Sequence, residues 1–199
     1  MTKQIFPLAL GGLAIGTTEF IIMGLLPDVA KDLGVSIPIA GHLISAYAFG
    51  VVVGAPILVA LSSKFPPKNI LIVYMILFTL FNALSIIAPD YNTLLMSRFL
   101  AGLPHGAFFG VGTIVAIKLS KKGKEAQAVS SMFTGLTLAI LLLVPFLTYI
   151  GHNTSYKWAF LIVSLLGIFT ILALIKFMPK LKSLKTVTFK EEIEFFLTF

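Results

Sequence analysis

The chain has 199 residues, of which 58% are hydrophobic and only 12% charged, with a mean hydropathy of +1.02. Soluble domains carry about 25% charged residues, so this composition excludes a water-soluble globular fold and points to an integral membrane protein. Lysine and arginine outnumber aspartate and glutamate by 15 to 8, and the absence of cysteine excludes disulfides and thiolate metal sites.

A helix needs about 20 apolar residues to cross a bilayer, and six stretches qualify. The first, 5–26, is too long for the apolar core of a signal peptide and lacks a small-residue cleavage site. It contains Glu19, the only charge between Lys3 and Asp28. A charged residue at a helix centre costs roughly 2.5–3.5 kcal/mol on insertion scales, so it normally faces the bundle interior or a water-filled cavity. Gly12, Gly16, Glu19 and Met23 share one helical stripe. Glu19 is thus a transport or proton-coupling candidate, the alternative being a neutral carboxyl or one hydrogen-bonded to Thr18 or another helix. Pro27-Asp28 ends the span as a turn.

Span two covers 41–61 and contains Pro56; Ser62 to Lys68, with Pro66-Pro67, breaks it from span three at 69–88. Asn82 in span three is a candidate for polar contact between helices. Pro89-Asp90 precedes span four, 94–117, which holds Arg98, the only arginine. Arg98 either snorkels to the nearby surface or acts within the bundle. His105 lies seven residues on, on nearly the same face, and is either a titrating group or a packed, hydrogen-bonded histidine. Gly102, Gly106 and Gly110 recur every four residues, a spacing that lets a neighbouring helix approach closely. Pro104 frees a carbonyl there and is expected to bend the helix. The Lys/Gly stretch 118–125 leads to span five, 127–150, and Gly151 to Tyr156 lead to span six, 158–178.

The lysines orient these spans. Lys3, Lys64, Lys68, Lys118, Lys121, Lys122, Lys124, Lys176, Lys180, Lys182, Lys185 and Lys190 fall on one side, and only Lys31 and Lys157 on the other. Positively charged loops stay in the cytoplasm, so both termini are expected there, and the basic excess follows topology instead of forming a nucleic-acid face. Residues 179–199 read as a basic cytoplasmic linker near anionic headgroups; Phe195 to Phe199 look like the start of a further apolar segment, so the chain reads as cut off. "GLAIG" at 12–16 and "GLPHG" at 102–106 are related by an offset of 90 (Gly12 to Gly102), and Pro56 and Pro145 by 89. Together with six spans, these offsets predict an all-α bundle over 1–178 built as a 3+3 inverted repeat.

Several stretches together resemble the N-terminal half of a major facilitator superfamily transporter, with the bacterial drug/proton antiporters and arabinose-efflux-permease-like proteins the most similar. They are "TEFIIMGLLPDVAKDLGVS" in span one, "SAYAFGVVVGAP" in span two, "SRFLAGLPHGAFFGVG" in span four, and "GLTLAILLLVP" followed by "WAF" in spans five and six. The order of Arg, Gly, Pro, His and Gly in span four is the most specific match. The resemblance implies proton-coupled efflux of drugs, sugars or similar small molecules by alternating access, with Glu19, Arg98 and His105 as candidate coupling residues. Two features depart from the family. In "LSSKFPPKNIL", Ser63 stands where a loop aspartate is usual and Pro66 where a glycine is usual, so a charged latch is not expected there. In span five, Leu143 and Leu147 replace frequent glycines, and looser packing is expected.

The family's transporters have twelve helices, and this chain supplies six. The reading is therefore half of a transporter in a bacterial inner membrane, completed by a second six-helix half or another copy of itself. The alternative is a remnant or scaffold that transports nothing. No enzyme is expected, because no nucleotide loop or nucleophile constellation appears; no cofactor is expected either. His42, His105 and His152 fall in different segments and make no metal site.

Overall fold

The computed structural model describes residues 3–62 and 64–181. The basic linker beyond Leu181 and Ser63 of the loop lie outside the described residues. Everything described is helix or short connection, with no strand among the described residues. Six helical stretches are long and apolar enough to cross a membrane. Span one is α1 (Phe6–Gly24), followed by a short α2 (Leu26–Asp32); span two is α3 (Ile37–Ser62), span three α4 (Pro67–Ile87) and span four α5 (Tyr91–Leu119). Span five runs through α6 (Glu125–Leu138), a π-helical stretch (Ala139–Leu143) and α7 (Val144–Asn153), and span six is α8 (Tyr156–Phe177).

Local chemistry explains where these helices begin. Pro67 occupies the first turn of α4, where its fixed φ suits the helix and its missing N–H is not needed. The Asp90 carboxylate accepts a hydrogen bond from the Thr93 amide (2.9 Å) and caps α5. That bond holds the Asp90 carboxyl below its ordinary value of 3.8. The Ser155 hydroxyl accepts from the Lys157 amide (3.3 Å) and caps α8. One expectation is corrected: Pro27-Asp28 does not turn the chain into a loop but opens α2. Pro27 sits in its first turn with Asp28, and Lys31 sits in its last, an order of charges that suits the helix dipole.

The bundle is assembled from pairs. Spans two and four meet backbone to backbone: a Cβ on Gly50 would strike the Phe99 carbonyl oxygen, one on Gly54 the Leu103 carbonyl oxygen, and one on Gly102 the Tyr47 carbonyl oxygen. Spans one and five meet the same way, with Gly12 against the Met132 carbonyl and Gly135 against the Ala9 carbonyl. Span three packs on span six, where Gly167 faces Thr79 and Phe78. Span three also touches span four, and span one touches span six. Exchanging one with four, two with five and three with six maps the two–four contact onto one–five, the three–four contact onto one–six, and the three–six contact onto itself. Because each triplet has an odd number of spans, the second enters from the opposite side, which makes the repeat inverted.

Two apolar clusters fill the bundle. One contains Leu8, Ile15, Met75, Phe78, Phe108 and Met132; the other contains Ile22, Leu25, Leu43, Leu94, Leu147 and Phe160. Between them, along spans one, three and four, lie buried Thr17, Thr18, Asn82, Ser85, Ser97 and Arg98. A polar layer therefore divides the core.

Candidate functional site

Arg98 is the largest side chain with no exposed surface at all. It begins the third turn of α5 and reaches across to α1, so it does not snorkel. One guanidinium nitrogen donates to the Thr18 hydroxyl (3.0 Å) and another to the Thr18 backbone carbonyl (3.0 Å). The Thr18 hydroxyl in turn donates to Asn82 Oδ1 (2.5 Å), and Asn82 Nδ2 donates to the Phe78 carbonyl (2.8 Å). Ser85 and Ser97 join spans three and four beside this chain, 2.8 Å apart. The guanidinium carbon also stands 4.4 Å from the centre of the Tyr47 ring and 5.6 Å from that of Phe160.

These contacts explain how a cation survives in a dry layer. Burying it costs about 2.5–3.5 kcal/mol on insertion scales. Two hydrogen bonds to a charged group return roughly 1.5–3 kcal/mol each, and a desolvated cation–π contact adds about 2. Neutral oxygens and an aromatic face are enough to offset the cost, and no carboxylate is required. None lies within 4 Å: among the described residues the one acid–base ion pair joins His152, at the end of span five, to Asp28 of α2. The Arg98 Nε–H has no partner and remains a buried, unused donor.

Glu19 follows Thr18 directly and is the sole carboxylate within any span, away from the helix ends. Its side chain is half-buried and lies beyond ion-pair distance of Arg98. His105 Nδ1 shares a hydrogen bond with the Tyr47 hydroxyl (3.1 Å), so Tyr47 links the histidine to the ring contact of Arg98. The His105 ring also lies 5.3 Å from that of Phe109, which stacks on Phe133 of span five at 5.0 Å. Glu19 and His105 do not touch Arg98: Thr18, which precedes Glu19, and Tyr47, which bonds His105, are the residues that do. Sequence reasoning named Thr18 only as a possible partner of Glu19, whereas its hydroxyl bonds Arg98 and Asn82, and it did not single out Tyr47. The available signal for Tyr47 was a hydroxyl in the middle of "SAYAFG"; for Thr18 it was only its position beside Glu19.

The glycines of span four divide. Gly102 and Gly106 lie against span two, where a Cβ on Gly106 would come within 2.7 Å of Ala55 Cβ. At Gly110 a Cβ would meet only Val59 at 3.7 Å, an ordinary contact. Pro104 sits inside α5, which continues unbroken from Tyr91 to Leu119. In span five, Leu147 is fully buried, and Leu143 closes the π-helical stretch. Among the described residues no cluster of His, Cys, Asp or Glu is arranged to hold a metal ion.

Residues 8–198 match the family model described as Major Facilitator Superfamily. The inner membrane transport protein YdhP of Escherichia coli (strain K12) is 50% identical over 173 residues, covering 87% of this chain and 44% of YdhP. AraJ of the same strain is 40% identical over 195 residues, covering 98% of this chain and 50% of AraJ. Among solved structures, the proton:xylose symporter XylE bound to 6-bromo-6-deoxy-D-glucose aligns with a TM-score of 0.78 at 13% identity, over 89% of this chain and 44% of that one. The peptide transporter POT in complex with sulfate gives 0.77 at 14% identity, over 100% of this chain and 44% of that one. The chain thus spans about half the length of the relatives it matches.

Proposed function

Because the chain belongs to the major facilitator superfamily, we propose that it forms one half of a proton-coupled transporter that exports small organic molecules, drugs or sugars among them, by alternating access. The observation that carries this reading is the separation of charges at the polar layer. Arg98 is buried with an unused Nε–H and no carboxylate within 4 Å, while Glu19, next to the residue that holds it, is half-buried and unpaired. Rocking of the half that brings Glu19 toward the guanidinium favours its charged form; withdrawal into an apolar setting favours its protonated form. A carboxyl moved between two such environments loads and releases a proton. The substrate path then lies between this half and a second, supplied by further helices or by another copy.

The test is Glu19→Gln in a complete twelve-helix protein carrying this half, assayed in proteoliposomes. The expected result is normal insertion with loss of proton-coupled flux; unaltered rate and pH dependence would sink the assignment.

Both termini are proposed to face the cytoplasm of an inner membrane, on the strength of the lysine distribution. The natural absence of cysteine makes this directly measurable. In intact cells, a membrane-impermeant thiol reagent should label Asn153→Cys and spare Lys122→Cys, and the opposite pattern inverts the topology.

A further inference from the structure

A cavity of about 280 Å³ opens at the bundle end that carries the lysine excess, between the start of span one and the connection from span four to span five. Its floor is apolar: Ile5 and Ala128 are buried and belong to the larger of the two core clusters. Lys121, Lys124, Gln127 and Ser131 stand around it. The connection that presents the lysines is ordered by its own backbone. The Lys124 amide donates to the Lys121 carbonyl (2.9 Å), and Gly123 takes φ +80°, which its missing side chain permits.

The polar groups around the cavity are unequally engaged. The Ser131 hydroxyl is committed to the Gln127 carbonyl (2.8 Å). Glu125, the nearest carboxylate in sequence, accepts from the Gly123 amide (3.1 Å). Neither Lys121 nor Lys124 meets a carboxylate within 4 Å among the described residues. Two unneutralised ammonium groups therefore flank an opening whose base is hydrocarbon, at the level where the helices leave the apolar layer. A ligand that suits it carries a phosphate outward and an apolar body inward. Basic pockets between spanning helices hold anionic lipid headgroups for this reason.

We propose that this cavity is a binding site for the phosphate of an anionic phospholipid, with Lys121 and Lys124 as its cationic contacts and the Ile5–Ala128 floor against the lipid's apolar part. The site is independent of the transport reading, because it lies at the bundle end and shares no residue with the Arg98 layer.

The test is native mass spectrometry of the 199-residue chain titrated with phosphatidylglycerol or phosphatidylcholine. Lys121→Gln/Lys124→Gln should weaken the first phosphatidylglycerol bound by roughly thirtyfold, from about one lysine's worth of attraction at each place. Lys118→Gln/Lys122→Gln removes the same charge from the same region but outside the cavity, and should weaken it by less than about threefold. Equal loss in both variants would mean unspecific attraction and overturn the proposal, as would equal retention of phosphatidylcholine by the unmodified chain. Lys121→Arg/Lys124→Arg should keep the lipid; losing it overturns the assignment of charge as the contact. Displacement by millimolar inorganic phosphate would mark the site as one for a free anion and overturn the lipid assignment.

Discussion

Spans two and four, and spans one and five, are the same pair built twice, and they differ at one level. In the first pair, Gly50 and Gly54 bring span two against the backbone of span four, and both helices stay regular through Pro56 and Pro104. The offset of 89 that relates Pro56 to Pro145 carries Gly50 to Ala139 and Gly54 to Leu143. Those two residues bound the π-helical stretch of span five. Span two has glycine at both places; span five has glycine at neither, and its helix is π-helical between them, a widened turn of a kind often found near functional sites. Close packing of the second pair is kept before that level by Gly12 and Gly135, at it by Gly16, where a Cβ would come within 3.1 Å of Ala139 Cβ, and after it by Gly24 against Thr148 and Gly151 against Leu25. A repeat can thus conserve which helices meet while changing the helical geometry of one of them.

The sharpest way to break this comparison is to put a side chain where the first pair has none. Gly102→Leu drives carbon into the Tyr47 carbonyl and should cost about 3 kcal/mol or more, read as a lowered midpoint in denaturant unfolding from detergent micelles. The same change is expected to disturb the Tyr47 ring beneath Arg98. Gly110→Ala, in the same stripe but meeting only Val59 at an ordinary contact distance, should stay within about 0.5 kcal/mol. If the two variants behave alike, backbone proximity does not hold spans two and four together.

A second measurement concerns the layer that both pairs share. Thr18→Val removes one of the two acceptors of Arg98, leaving the backbone carbonyl, and leaves Asn82 Oδ1 without its donor. Unpaired buried groups cost about 1–3 kcal/mol each, so a loss near 2 kcal/mol is expected, although the substitution barely changes side-chain volume. A variant as stable as the parent would mean that water or another side chain replaces the threonine.

The smallest expected effect is at the helix starts. Span four is capped by Asp90, whereas span one begins at Ile5 with no side-chain cap. Because the Asp90 carboxyl titrates below 3.8 in the folded chain, its cap stabilises the fold above that value and is lost as pH falls through the depressed folded value. Asp90→Asn keeps an acceptor without the charge, so stability measured across the acid range should lose this contribution to its pH dependence and little else.

Much of the fold was legible because the bilayer restricts the answer. Runs of about 20 apolar residues must be helices, and their ends are marked by Pro66-Pro67, Pro89-Asp90 and the lysines of 118–125. Glu19 and Arg98 stood out for the same reason, as charges where charge is costly. What holds Arg98 was not legible. A threonine hydroxyl in span one and a tyrosine ring in span two become its partners only through the relative depth and rotation of three helices, which no single helical wheel specifies. Helix α2 was hidden by its proline, which reads equally well as a turn or as the first residue of a helix. The π-helical stretch has no local signature at all, since Ala139 to Leu143 would form an ordinary helix in isolation; it falls at the positions where the other pair has Gly50 and Gly54.

The order of the groups around Arg98 also bears on how the chain is made. Thr18, Tyr47 and Asn82 all precede it in sequence, one on each of the first three spans. Synthesis runs from the N-terminus, so when the arginine reaches the bilayer its hydrogen-bond acceptor and its aromatic face are already inserted. Only Phe160 comes later. The costliest side chain in the bundle is thereby delivered into a berth assembled ahead of it, and span four need not wait in lipid with its charge exposed.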